Sequence, residues 1–182
     1  MGRSKLTMPY GESTVIGTVL ERLSNSSVDD VVLVTGHHAE EIEAEVAEAV
    51  ATVRNPNPDR GNLSSLRCGA AALGNTFEGV VVILGDMPGV DPVVLDRVVE
   101  AFASSSVDAV IPMYSDGAGH PLVVSLALVE DSDVSLDQPL WQAIEYLPNN
   151  RKTEVVVGQA KPLDINTPKD HSEATTRSTP GS

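Results

Sequence analysis

The chain has 182 residues, the length of one ordinary domain with enough residues to bury a core. With 41% apolar but only 3% aromatic residues, that core must be built from Val, Leu, Ile and Ala, a mixture that suits parallel strands covered by helices better than a sandwich. Lys and Arg number 12 against 26 Asp and Glu, a net charge of -14, which disfavours nucleic acid and anionic membrane as partners while leaving room for a small anionic substrate held by local cations and backbone amides.

In chain order, Ile16, Val19, Leu20 and Leu23 recur at helical spacing, and residues 31–34 read as a strand buried on both faces. Ile42, Val46, Ala49 and Val50 predict an amphipathic helix whose solvated face carries Glu40, Glu41, Glu43, Glu45 and Glu48. A short strand at Thr52-Val53 runs into Asn55-Pro56-Asn57-Pro58-Asp59-Arg60-Gly61, where prolines and glycine forbid regular structure. Asn62 or Ser64 then caps a helix through Ala72.

Residues 80–84 form the most apolar strand and stop at Gly85-Asp86-Met87-Pro88-Gly89. Asp91-Pro92 opens a helix whose buried stripe is Leu95, Val98, Val99 and Phe102. Residues 108–111 and 122–124 read as strands, 140–147 as a helix and 154–157 as a late strand. The β/α alternation over residues 14–111 implies parallel strands joined by right-handed crossovers. Residues 1–170 read as one domain, and 171–182, rich in Ser and Thr, as a disordered tail.

Cys68 is the only cysteine, which excludes an intrachain disulfide framework and a multi-cysteine zinc site and suits a reducing, cytoplasmic setting. There is neither an apolar run of ~18 residues nor an apolar stretch of the signal-peptide type, so no membrane partner is expected.

In open parallel sheets the ligand crevice lies beyond the carboxyl ends of the strands. Asp86 stands there, able to take an oxygen-seeking cation or simply to cap a turn. Asp164-Ile165-Asn166-Thr167-Pro168 ends the last apolar stretch in the same way. It could complete a magnesium site with Asp86, or Thr167-Pro168 could open a final helical turn. Arg3 and Lys5 are a close basic pair in an acidic chain, either solubilising or anion-binding. In Gly61-Asn62-Leu63-Ser64-Ser65-Leu66-Arg67-Cys68-Gly69, a glycine, two hydroxyls and a helix N-terminus could approach a nucleotide, or form no more than a well-capped helix. His120, in Gly117-Ala118-Gly119-His120-Pro121, could reach a ligand or lie on a surface loop. His37 and His38 lack Cys or His partners at metal-ligand spacing and are expected in helix-entry roles; Cys68 is expected as a small buried residue.

The ordered set Met1-Gly2-Arg3-Ser4-Lys5-Leu6, Pro9-Tyr10-Gly11, Val34-Thr35-Gly36-His37, Asn55-Pro56, Gly61 to Gly69, Gly85-Asp86-Met87-Pro88, Gly119-His120-Pro121 and Asp164-Ile165-Asn166-Thr167-Pro168 resembles the molybdenum-cofactor cytidylyltransferases and related guanylyltransferases of the MobA-like NTP transferase family. The match runs in order over most of residues 1–171. It implies a three-layer Rossmann-like nucleotidyltransferase fold with a mostly parallel sheet, and transfer of a nucleotide, CMP from CTP rather than GMP from GTP, onto the phosphate of molybdopterin with release of pyrophosphate. By the same resemblance Asp86 and Asn166 hold magnesium, with Asp164 as the fallback. Lys5 and Arg3 clamp the triphosphate, Gly2, Ser64, Ser65 and Gly69 join the nucleotide site, and His120 and Pro121 meet the acceptor.

The family pattern places an apolar strand and a glycine-rich loop, whose amides cradle phosphate, in about 15 to 20 residues ahead of the Met-Gly at which this chain starts. It also often carries Gly-Asp and Arg where this chain has Leu136-Asp137-Gln138-Pro139-Leu140-Trp141. Two other functions are compatible with the same motifs: a non-catalytic nucleotide- or cofactor-binding protein of this fold, and a nucleotidyltransferase acting on another small phosphate acceptor such as a sugar phosphate.

Overall fold

The structure, a computed structural model, describes residues 4–46, 48, 50–74, 76–131 and 139–165. A short hairpin of β1 (Pro9–Tyr10) and β2 (Ser13–Thr14) leads into α1 (Val15–Ser24). Thr14 caps α1 by accepting the Gly17 N–H, and the stripe Val15, Ile16, Val19 and Leu23 is buried. Next come β3 (Val32–Thr35), α2 (Ala39–Glu43), β4 (Ala51–Arg54) and α3 (Asn62–Leu73). The chain continues through β5 (Gly79–Val82), α4 (Pro92–Ala103), β6 (Ala109–Tyr114), β7 (Gly117–Ala118), β8 (Leu122–Ser125), α5 (Leu126–Glu130), α6 (Leu140–Glu145) and β9 (Lys152–Val156).

Strand residues alternate between two apolar layers. Val80, Ala109, Ile111, Leu122 and Val124 pack with Leu63, Leu128 and Ile144 from α3, α5 and α6. Their neighbours Val81, Val110 and Val123 pack with Val19, Leu23, Leu95 and Val98 from α1 and α4. Successive side chains of a strand point to opposite faces, so this division puts helices on both sides of the sheet, the three-layer arrangement of a Rossmann-like α/β fold.

β3 and β4 pair in parallel around α2. In the five-stranded sheet β5, β6 and β9 share one direction: β6 and β9 pair in parallel, and β5 and β6 each pair antiparallel with β8 between them. The reversal of β8 has a simple cause. Only the β6–β7 hairpin and a few residues separate β6 from β8, too few for the crossover of a dozen or more that a parallel return needs.

Three local expectations change. Residues 31–34 are half-buried rather than buried on both faces; among the described residues β3 pairs only with β4. The helix expected to run to Val50 ends at Glu43; its repeated glutamates offer no Lys or Arg at the i+4 position and set Glu41 against Glu45, a like-charged pair one turn apart. Neither Asn62 nor Ser64 caps α3. Gly61 occupies the N-cap at φ 95°, in the left-handed region glycine tolerates, and Asn62 Oδ1 instead accepts the Leu140 N–H at 3.3 Å. By contrast Asp91 caps α4 as the Asp-Pro pair implies. Among the described residues no helix is long and apolar enough to cross a membrane. The expected tail lies outside the described residues.

Candidate functional site

Three separate segments meet beyond β5. The first is a single 3-10 turn, Lys5–Thr7, capped by Ser4, whose Oγ accepts the Leu6 N–H. The second is the Gly85-Asp86 loop, where a Cβ at Gly85 would lie 3.3 Å from Ile16 Cδ1 and in ordinary contact, at 3.5 Å, with Leu6 Cδ1. The third is the stretch ending at Ile165, which is 1% exposed and clusters with Leu6, Met8, Tyr10 and Val15.

Polar contacts tie them together. The Lys5 ammonium donates to Asp86 Oδ2 at 2.6 Å, and the Ile165 N–H donates to the Asp86 carbonyl at 2.9 Å. The structure therefore brings Lys5, Asp86 and the residue preceding Asn166 together. Asn166 itself, with Gly2 and Arg3, lies outside the described residues. Asp164 is exposed, one residue from Ile165.

The donor set can be tested against magnesium. Magnesium keeps several waters and uses one or two carboxylates plus substrate phosphate. Asp86 fits that demand: its side chain is 17% exposed and already holds a cationic group, the Lys5 ammonium.

His120 is not on an open surface. It is 8% exposed, its ring meets Trp141 edge-on with centroids 5.7 Å apart, and its carbonyl accepts the Tyr114 hydroxyl at 2.6 Å. Burial pushes the imidazole below its ordinary range, opposed in part by the negative charge of Asp86. The ring is thus neutral at pH 7 and within electrostatic reach of Asp86. Burial, then the charges of Asp91 and Asp116, push the Tyr114 phenol up to about 12, so it remains a donor. Pro121 is buried beside His120.

The segment at the start of α3 is organised by Asn55, which is 5% exposed. Its Nδ2 donates to Ser64 Oγ at 2.8 Å and Ser65 Oγ at 3.1 Å, and its Oδ1 accepts the Asn57 N–H at 2.9 Å. Ser64 Oγ donates in turn to the Gly61 carbonyl at 2.8 Å, so Ser64 is buried in the loop's own network while Ser65 is half-buried. Gly69 faces β3, where a Cβ would lie 2.9 Å from Val34 Cγ2; its absence lets α3 approach the sheet. Cys68 is half-buried rather than buried.

His38, at the N-cap of α2, adopts φ 59°, and His37 Nε2 lies 2.9 Å from Asp59 Oδ1. The five glutamates are not one solvated face. Glu43 accepts from the Arg54 guanidinium and Thr35 Oγ1, which in that order hold its carboxyl below the usual range. Glu41 accepts from Ser4 and Thr7. No spacing signal separates these two from their neighbours, since their partners come from 8 to 37 positions away.

The model of the MobA-like NTP transferase domain matches residues 1–153. Among curated proteins, the bifunctional protein GlmU of Agrobacterium fabrum is 28% identical over 143 residues, 73% of this chain and 31% of that protein; the chain thus spans about a third of that relative's length. The crystal structure of Rv0371c from Mycobacterium tuberculosis H37Rv is 26% identical with a TM-score of 0.82, over 97% of this chain and 91% of that one. A manganese complex of Rv0371c gives 26% and 0.78 over 96% and 94%. Molybdopterin-guanine dinucleotide biosynthesis protein A from Archaeoglobus fulgidus, at 18% identity and a TM-score of 0.71 over 97% and 91% of the two chains, shares the fold.

Proposed function

The chain belongs to the MobA-like NTP transferase domain family, and on that premise we propose that it transfers a cytidylyl group from CTP to the phosphate of a molybdopterin-type cofactor, with release of pyrophosphate. The observation that carries this reading is the Lys5–Asp86 pair beyond β5, 2.6 Å apart, with Ile165 bonded to the Asp86 carbonyl. A cation and a carboxylate at one strand end, where two further segments converge, are what a reaction on a nucleoside triphosphate requires.

In this reading an oxygen of the acceptor phosphate attacks the α-phosphorus, and the bond to the β-phosphate breaks. No protein nucleophile is needed, so the side chains position groups and balance charge. Lys5, with Arg3 and the Gly2 amide, holds the triphosphate oxygens. Ser65, and Ser64 through its hold on the Gly61 carbonyl, shape the nucleoside side, and Gly69 sets the depth at which α3 sits there. Neutral His120 and Pro121 border the acceptor end; an uncharged imidazole can donate or accept a hydrogen bond without adding charge beside Asp86. Asp86 and Asn166 would hold magnesium, which when bound neutralises charge developing on the transferring phosphate. Support for a divalent ion comes from the manganese complex of Rv0371c.

Pyrophosphate release from CTP and from GTP should be measured with magnesium, using molybdopterin and a sugar 1-phosphate as competing acceptors. Release that needs CTP and molybdopterin is expected. Release driven only by the sugar phosphate would move the protein to another acceptor class. Nucleotide binding without release under any pairing would make it a binding protein.

A further inference from the structure

Glu41 is the third residue of α2, and its carboxylate reaches away from the helix to the segment that carries Lys5. It accepts the Ser4 N–H on both oxygens, at 3.0 and 3.2 Å. Thr7 Oγ1, on a residue with no exposed surface, lies 2.6 Å from Glu41 Oε1 and 3.0 Å from the Ser4 carbonyl. A hydroxyl has one proton to donate, and the charged, nearer acceptor takes it. His38 Nδ1 lies 3.4 Å from Glu41 Oε2.

Glu41 thus grips the Lys5 turn at both ends, through Ser4, which caps it, and Thr7, its last residue. Nothing in the turn itself could do this: three residues in 3-10 form make too few internal bonds to be stable alone. The left-handed backbone of His38 lies at the start of the helix that supplies the grip. Arranged in this way, the pieces aim the Lys5 ammonium at Asp86.

We propose that Glu41 is a positioning residue for triphosphate binding, acting through Lys5. Its carboxylate fixes the backbone on both sides of Lys5, so that the ammonium is held toward the crevice before nucleotide arrives. The inference rests on Lys5 as a triphosphate clamp. It assigns one member of a glutamate-rich helix a role in catalysis without contact to the substrate.

A double-mutant cycle on CTP affinity, by calorimetry in magnesium, tests it. Glu41→Ala should weaken CTP by about tenfold in the wild-type background but by less than about twofold in Lys5→Met, because effects that act through one group are not additive. Glu41→Gln keeps an acceptor oxygen for Thr7 and Ser4 and should restore affinity to within about threefold of wild type, since one oxygen, Oε1, lies within reach of both donors. Hydrogen exchange at Ser4–Thr7 should rise in Glu41→Ala and not in Glu41→Gln. Should Glu41→Ala fail to fold, Thr7→Val, which keeps the buried volume and removes the donated hydroxyl, should weaken CTP in the same Lys5-dependent way.

An equal loss in both backgrounds, or unchanged CTP affinity in Glu41→Ala, overturns this inference and leaves the nucleotide site standing. A wild-type protein that binds neither CTP nor GTP overturns the clamp reading and this one with it.

Discussion

Replacing Asn55 by Ala removes the side chain that holds the start of α3 to the end of β4. Three hydrogen bonds disappear, to Ser64 Oγ, Ser65 Oγ and the Asn57 N–H, while the Asn55 N–H bond to the Thr35 carbonyl at 2.7 Å is main-chain and survives. The losses are unequal. Asn57 is exposed and Ser65 half-buried, so water can replace the amide there. Ser64, 6% exposed, still donates to Gly61, but its buried oxygen loses the donor it accepted from. At 0.5 to 1.5 kcal/mol for each bond, weighted toward the buried one, the substitution should cost about 2 to 3 kcal/mol.

For a chain of this length that corresponds to a fall in Tm of about 5 to 10 °C. Differential scanning calorimetry measures it directly, with Ser65→Ala as a control expected to cost about 1 kcal/mol or less. CTP affinity should fall in Asn55→Ala as well, because Ser64 and Ser65 are no longer tied to the end of β4. A Tm within about 2 °C of wild type would show that the network is replaceable by water and that Asn55 does not organise the loop.

Asp86→Ala should stay folded, since the bond from Ile165 goes to the Asp86 carbonyl, yet lose about 100-fold or more in turnover; circular dichroism and pyrophosphate release together check this, and wild-type turnover would refute the metal role. The Arg151 guanidinium beside Asp108, helped by Ser125 and opposed by partial burial, holds the Asp108 carboxyl below its ordinary range. A depressed folded-state value means stability that is present above the ordinary aspartate pKa of 3.8 and lost as pH falls through the folded one. Asp108→Asn should therefore flatten the acid limb of a stability-against-pH curve below about pH 4, and an unchanged limb would count against it. His120 should titrate below 6.5 by NMR, remaining neutral in the fold while the unfolded chain takes up its proton. The fold thus loses stability as pH drops from 6.5 toward the His120 midpoint, and a midpoint at or above 6.5 would contradict the burial argument.

Much of the architecture was legible in one dimension. Hydrophobic period and capping chemistry act over a few neighbouring residues, which is why α1, the Asp91-Pro92 start of α4 and the apolar strands stand out without a structure. The alternation of β and α over residues 14–111 also implied parallel strands, and β3 with β4, like β5 with β6, do share a direction. The position of Asp86 is legible because a carboxylate directly after an apolar strand must lie at a strand end, and strand ends are where α/β sheets bind ligands. The opposed direction of β8 depends on loop length, and the early end of α2 on like-charged neighbours, neither of which hydrophobic period records.

What only the tertiary structure decided is which polar side chains have work to do. Glu41 and Glu43 look like Glu45 in sequence, yet two are held by Thr7 and Arg54 while Glu45 is exposed. His120 looked like a loop histidine until Trp141 and the neighbouring strands enclosed it. Hydrogen bonds and burial are made between residues brought together from 8 to 81 positions apart. Local pattern records the period that folds the chain. It carries no record of the distant groups that give each side chain its partner, its protonation state and its role.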